Sequence, residues 1–295
     1  MLESLRGLGY STWSALADLI DNSVTAGATS VDILYEWADN SSWLAILDDG
    51  RGMSPSELDS AMRLGASNPR AERADNDLGR FGLGLKTASL SQCRRLTVAT
   101  RQGEITDCLR WDLDVLRERP DDGWLLLEGP APGSEQRIQP LNGVRHGTVV
   151  LWETLDRLAT PGFSCQDFLD LLDRVEQHLS MVFHRYLEGP QPRLTIRIAG
   201  RAIAAWDPFF RKHSATYTSP TDSFRSAFGK IELQGFVLPH RDRIDAADFR
   251  NYGGPAGWTA QQGFYVYRNE RLLVSGSWLG LGAPRAWTKE QAHQL

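Results

Sequence analysis

Three stretches bring together residue types that could do chemistry. In Trp13–Ala28 the apolar positions recur with helical period, and Asp18, Asp21 and Asn22 fall three and four apart, so a helix there projects two carboxylates and an amide from one face. Taken alone, that cluster also fits the wet side of an ordinary amphipathic helix. Asp48-x-Gly50-x-Gly52 follows the short apolar run Trp43–Leu47. A carboxylate at a strand end is held rigidly, and glycines beside it let a ligand approach the backbone, although tight turns and calcium loops share the pattern. Gly79-Arg80-Phe81-Gly82-Leu83-Gly84-Leu85-Lys86 precedes a helical stretch. Successive N–H groups, a helix dipole and a full positive charge there would suit an anion. The spacing matches neither the Walker A loop nor the dinucleotide fingerprint.

The elements around these stretches are readable from local signals. Ser11 or Thr12 would cap the first helix and Gly27 would end it. Ser30–Trp37 and Trp43–Leu47 read as a strand pair, and Ser54 with Glu57 forms a capping box ahead of a helix from Pro55 to about Arg63. Ala66–Leu78 is polar, charged and aperiodic, a mobile surface loop by composition. Strands are expected at Arg95–Thr100, Glu104–Leu113, Asp121–Glu128 and His146–Glu153, with Gly129–Arg145 as a loop. Connections this tight favour a mostly antiparallel sheet, so the expected fold class is α+β, with a two-layer α/β sandwich first. Beyond Leu155 the pattern shows a long helix over Cys165–Leu187, a hairpin turning at Gly200, and strands at Lys230–Leu238 and Phe264–Leu273. The expected domains are therefore 1–155 and 156–295, with further segments following.

Composition narrows the partners. The chain has 295 residues, 41% of them hydrophobic and 23% charged, enough for two ordinary cores. A net charge of −5 gives no bulk attraction for nucleic acid, and a DNA or protein client finds no support in the charge pattern. Lys86, Lys212, Lys230 and Lys289 are the only lysines among 32 basic residues, which singles out Lys86 in its glycine-rich setting. Cys93, Cys108 and Cys165 are odd in number and widely spaced, and no apolar run is long enough to cross a bilayer. A cytoplasmic protein is the expectation.

The order of the motifs is more specific than any one of them. D-L-I-D-N-S at Asp18–Ser23, D-D-G-R-G at Asp48–Gly52, G-R-F-G-L-G-L-K at Gly79–Lys86 and G-T at Gly147-Thr148 resemble the ATP-binding boxes of the GHKL superfamily (gyrase B, ninety-kilodalton heat-shock chaperones, MutL, histidine kinases and MORC proteins). The MORC-type and heat-shock-like branch is the most similar. The resemblance implies a Bergerat-type ATP-binding fold followed by an α/β transducer-like domain, and ATP and Mg²⁺ as the ligands. It implies that Asn22 holds the metal and that Asp48, assisted by Thr148, accepts the adenine amino group. Gly50, Gly52 and Met53 would lie beside the base, while Gly79, Phe81, Gly82, Leu83, Gly84, Leu85 and Lys86 would receive the phosphates. Loop 66–78 would be the lid, and ATP-dependent dimerisation the output.

Asp18 stands where hydrolysing members carry a glutamate as general base. One methylene less of reach implies slow turnover, since roughly 1 Å of misplacement can cost about a hundredfold in rate. A nucleotide-gated binding module with little hydrolysis is the first alternative, and a histidine-kinase-type catalytic domain the second. Transducer domains in the superfamily usually send a lysine to the γ-phosphate, and Lys230 and Lys289 are the candidates here.

Overall fold

The structure, a computed structural model, describes residues 6–7, 9–63, 84–119, 125–227, 229–254 and 257–281. The expected loop 66–78, the segment 79–83 and residues 282–295 lie outside the described residues. The chain divides into two compact units, Met1–Ala204 and Ala205–Leu295.

In the first unit the elements in chain order are α1 (Thr12–Thr25), β1 (Ser30–Glu36), β2 (Trp43–Asp48), α2 (Pro55–Met62), α3 (Gly84–Leu90), β3 (Arg95–Gln102), β4 (Ile105–Asp112), α4 (Leu113–Glu118), β5 (Leu127–Glu128), α5 (Glu135–Ile138), β6 (His146–Glu153), α6 (Cys165–Val182), α7 (His184–Leu187), β7 (Thr195–Ile198) and β8 (Arg201–Ala202). The strands form one eight-stranded sheet, ordered β5-β4-β3-β6-β2-β1-β7-β8. Each described pairing is antiparallel except β1 with β7. A parallel neighbour needs a long crossover, and α6 provides it. The first unit therefore extends past residue 155, because α6 packs on α1 and β7 extends the sheet from β1.

Strand alternation sorts the sheet into two faces. Ala45, Ala99, Val149 and Leu151 cluster on one face under Leu141, Ile138 and Val144. The segment read as the loop Gly129–Arg145 thus contains α5 and a 3₁₀ turn, Gln139–Gly143, that cover this face. The alternate residues Ile46, Val98 and Val150 are buried on the other face, where register aligns Ile46 with Val150 and Val150 with Val98. Phe168 of α6 meets Tyr35 of β1 edge-on at 5.5 Å on that side. Helix α1 packs on α3 and α6 and buries Ala15, Leu16, Leu19 and Ile20. Each large aliphatic side chain so buried contributes about 1.5–3 kcal/mol.

The second unit holds two two-stranded sheets, β10 (Asp222–Ser226) with β11 (Gly229–Leu233) and β13 (Phe264–Arg268) with β14 (Arg271–Ser277). It also contains the short pair β9 (Tyr217–Thr218) with β12 (Phe236–Val237), and α8 (Ala246–Tyr252). The single strand expected over Lys230–Leu238 is thus split in two, and the β13–β14 hairpin turns at Asn269 as expected, at φ 49°. Aromatic pairs tie the unit together, Phe209 stacking on Phe236 at 4.2 Å and Phe210 on Tyr252 at 3.7 Å.

Candidate active site

The site is assembled at the end of the sheet's helix-facing side. Continuing the register from Ile46, Val150 and Val98 by two residues gives Asp48, Thr148 and Thr100, which sit opposite one another on β2, β6 and β3. Apolar residues therefore give way to a row of polar ones where the core meets the site. Thr100 Oγ1 lies 3.3 Å from Thr148 Oγ1, donates to Gly147 O at 3.1 Å, and accepts from Met53 N at 2.8 Å.

Asp48 is the centre of this row and is 6% exposed. Its Oδ2 accepts from Ser23 Oγ at 2.8 Å and its Oδ1 from Gly50 N at 2.9 Å. Burial outweighs these donors and pushes the carboxyl above the ordinary carboxylate range. A carboxylate accepts about four hydrogen bonds, so these two donors leave capacity for a ligand N–H, which fits an amino group on a base.

The loop after Asp48 is stapled down by its own side chains. Asp49 accepts from Thr29 N, Thr29 Oγ1 and Ser30 N at 2.7, 2.7 and 2.8 Å, joining the end of β2 to the start of β1. Arg51 N donates to Ala26 O at 3.0 Å. The glycines make room for backbone. A Cβ on Gly50 would lie 2.9 Å from Ala26 Cβ, and one on Gly52, whose φ is +68°, would lie 2.1 Å from Arg101 O. Gly147 is equally constrained, with Asp48 O 2.1 Å from the position of a Cβ.

Helix α1 brings the remaining groups. Ser11 caps it, Gly27 leaves it with φ +78°, and the face between carries Asp18 and, one turn on, Asn22. Ser23, the next residue, makes the contact to Asp48 just described, so the helix is pinned to the strand end beside Asn22. Asn22 is exposed, and its amide oxygen is the hard donor that a Mg²⁺ ion accepts. Asp18 is half-buried and accepts from Tyr10 Oη at 2.9 Å. Ser23, Thr100 and Tyr10 are functional neighbours that the sequence reading missed.

Lys86 is held within the fold. Its side chain is buried, and its ammonium donates to Ala61 O at 2.8 Å and Arg63 O at 2.6 Å, at the C-terminal end of α2. Trp111 Nε1 takes the intervening Met62 O at 2.9 Å. These are the carbonyls a helix end leaves unpaired, and a cation there also complements the dipole. Burial lowers the Lys86 pKa. Replacing Lys86 by Met leaves both carbonyls without their donor, at a cost of about 2 kcal/mol. Differential scanning fluorimetry should show Tm falling by roughly 6 °C; an unchanged Tm would mean these contacts carry no stability. Gly84 and Leu85 open α3, whereas Gly79, Phe81, Gly82 and Leu83 lie outside the described residues. Lys230 pairs with Glu232 within β11, and Lys289 is outside the described residues.

Comparison with known proteins agrees with this geometry. Residues 10–148 match the family model described as histidine kinase-, DNA gyrase B- and HSP90-like ATPase. Over 100 residues, 33% of this chain and 10% of the relative, the sequence is 34% identical to ATPase MORC2 of Homo sapiens. Over 136 residues it is 38% identical to Protein MICRORCHIDIA 3 of Arabidopsis thaliana, covering 43% of this chain and 23% of that protein. Protein MICRORCHIDIA 2 of the same plant is 36% identical over 180 residues, 47% of this chain and 28% of its own length. The chain thus spans only a tenth to somewhat over a quarter of these curated relatives. The match covers the site's strands and α1 alike, so residues 10–148 are similar to the ATP-binding domains of GHKL-type ATPases.

Proposed function

We propose that this chain is a Mg²⁺-dependent ATP switch with slow turnover, in which nucleotide binding closes the lid and drives dimerisation. The observation that carries the reading is the buried Asp48, with acceptor capacity left for a ligand N–H, beside a helix that presents Asn22 and Asp18 one turn apart. In this reading Asp48 takes the adenine amino group, and Asn22 holds the Mg²⁺, which neutralises phosphate charge. Asp18 accepts the proton of the attacking water. Lys86 exchanges the carbonyls of Ala61 and Arg63 for phosphate oxygens, and segment 66–78 is the lid. The transducer-like role belongs to the residues after 155. A nucleotide-gated module without appreciable turnover is the second reading, favoured by one observation, the short side chain of Asp18.

Phosphate release by the purified chain separates them. Release from ATP that depends on Mg²⁺ and stops on adding EDTA supports the switch. Tight ATP binding with background release favours the module, and neither binding nor release overturns both.

A further inference from the structure

Asp18 is the shortest carboxylate that could serve as base, and one group that holds it comes from outside its helix. The residue one turn earlier, Ser14, belongs to the N-cap: its hydroxyl donates to Ser11 O at 2.9 Å and accepts from Ser11 Oγ at 2.8 Å. The partner comes instead from ahead of the helix, where Tyr10 Oη donates to Asp18 Oδ2 at 2.9 Å. Tyr10 is itself fixed. Its carbonyl accepts from Gln92 Nε2 at 3.2 Å. Gln92 is buried, is held by Thr12 Oγ1 at 2.7 Å, and donates to Ser91 Oγ at 2.8 Å. Tyr10 therefore directs its hydroxyl hydrogen at the carboxylate. Burial, followed by the charge of Asp18, pushes the Tyr10 phenol above its ordinary value, so it stays a donor at neutral pH.

We propose that Tyr10 is a positioning residue for hydrolysis, fixing the plane of the Asp18 carboxyl relative to the attacking water. This rests on the reading above, in which Asp18 is the base. Tyr10 keeps its own proton throughout; the water's proton goes to Asp18. A side chain with only two rotatable bonds gains aim from one fixed oxygen, since a carboxylate out of line by a fraction of an ångström loses rate steeply.

The test is steady-state hydrolysis of Mg²⁺-ATP by the wild type, Tyr10→Phe and Asp18→Asn. Tyr10→Phe is expected to lower kcat about tenfold with KM within about twofold. The acid limb of its kcat–pH profile should move to higher pH, because the ionised carboxylate has lost a donor. A tyrosine that only supports the fold would leave that limb in place. An unchanged kcat and an unmoved acid limb in Tyr10→Phe, with Asp18→Asn inactive, overturns the positioning role and leaves the ATPase reading standing. A wild type that binds ATP without releasing phosphate overturns the hydrolysis reading and this role with it. If Tyr10→Phe does not fold, the pair is read in protein labelled with ¹³Cζ-tyrosine. The Tyr10 resonance should follow an acid titration in the wild type and cease to do so in Asp18→Asn. A resonance indifferent to Asp18 overturns the proposal.

Discussion

Asp18→Asn should retain ATP and lose turnover: phosphate release falls about 100- to 1,000-fold, while the Kd for Mg²⁺-ATP stays within about twofold. The substitution is isosteric, and the amide oxygen can still accept from Tyr10, so α1 keeps its cap, its packing and the contact of Ser23 with Asp48. What it loses is the capacity to take a proton. A variant that releases phosphate at the wild-type rate would remove Asp18 from the chemistry. One that loses binding as well would make Asp18 a structural group.

Asp48→Asn should do the reverse, weakening ATP binding about 100-fold, as expected for losing a hydrogen bond to a buried charge, while raising thermal stability. The stability gain follows from linkage. Burial raises the folded-state pKa of Asp48 above its ordinary 3.8, so the folded protein holds that proton more tightly than the unfolded chain. Stability from this group is then complete below the ordinary carboxylate pKa and is lost as pH rises through the folded pKa. The amide carries no charge to desolvate and can still accept from Gly50 N. Calorimetric scans of both proteins should therefore nearly coincide below about pH 4 and separate above it, with the variant melting higher at neutral pH. A variant that melts lower at neutral pH would mean that the donors outweigh burial at Asp48.

Much of the fold is legible in the sequence because its signals are local. His146–Glu153 has the expected bounds, and the Ser54–Glu57 capping box forms as read. Period-2 alternation and side-chain caps are properties of a few neighbouring residues. The parallel pairing of β7 with β1 depends on where a chain returns after the crossover through α6, and no local pattern records that. The site divides in the same way. Asp48, Asn22 and Asp18 stand out because a carboxylate or amide amid apolar neighbours is conspicuous. Thr100 acquires its role only once β3 is in register with β6, and Tyr10 only once the segment before α1 is folded back toward Gln92. A polar residue on an otherwise apolar strand face is the one signal that could have found Thr100. Lys86 shows what a motif leaves out: a lysine after three glycines suggests a phosphate, and only the fold shows that its ammonium is also held by the carbonyls ending α2.

The central claim is that the polar row of Asp48, Thr148 and Thr100, with the α1 face bearing Asn22, is a nucleotide pocket. Isothermal titration of the wild-type chain with ATP and Mg²⁺ tests it most directly, with Asp48→Asn as the control. The account predicts saturable binding of one ATP per chain, weakened when Mg²⁺ is withheld and lost at the same concentrations in the variant. No heat of binding in the wild type, or an isotherm identical in the two proteins, would contradict it.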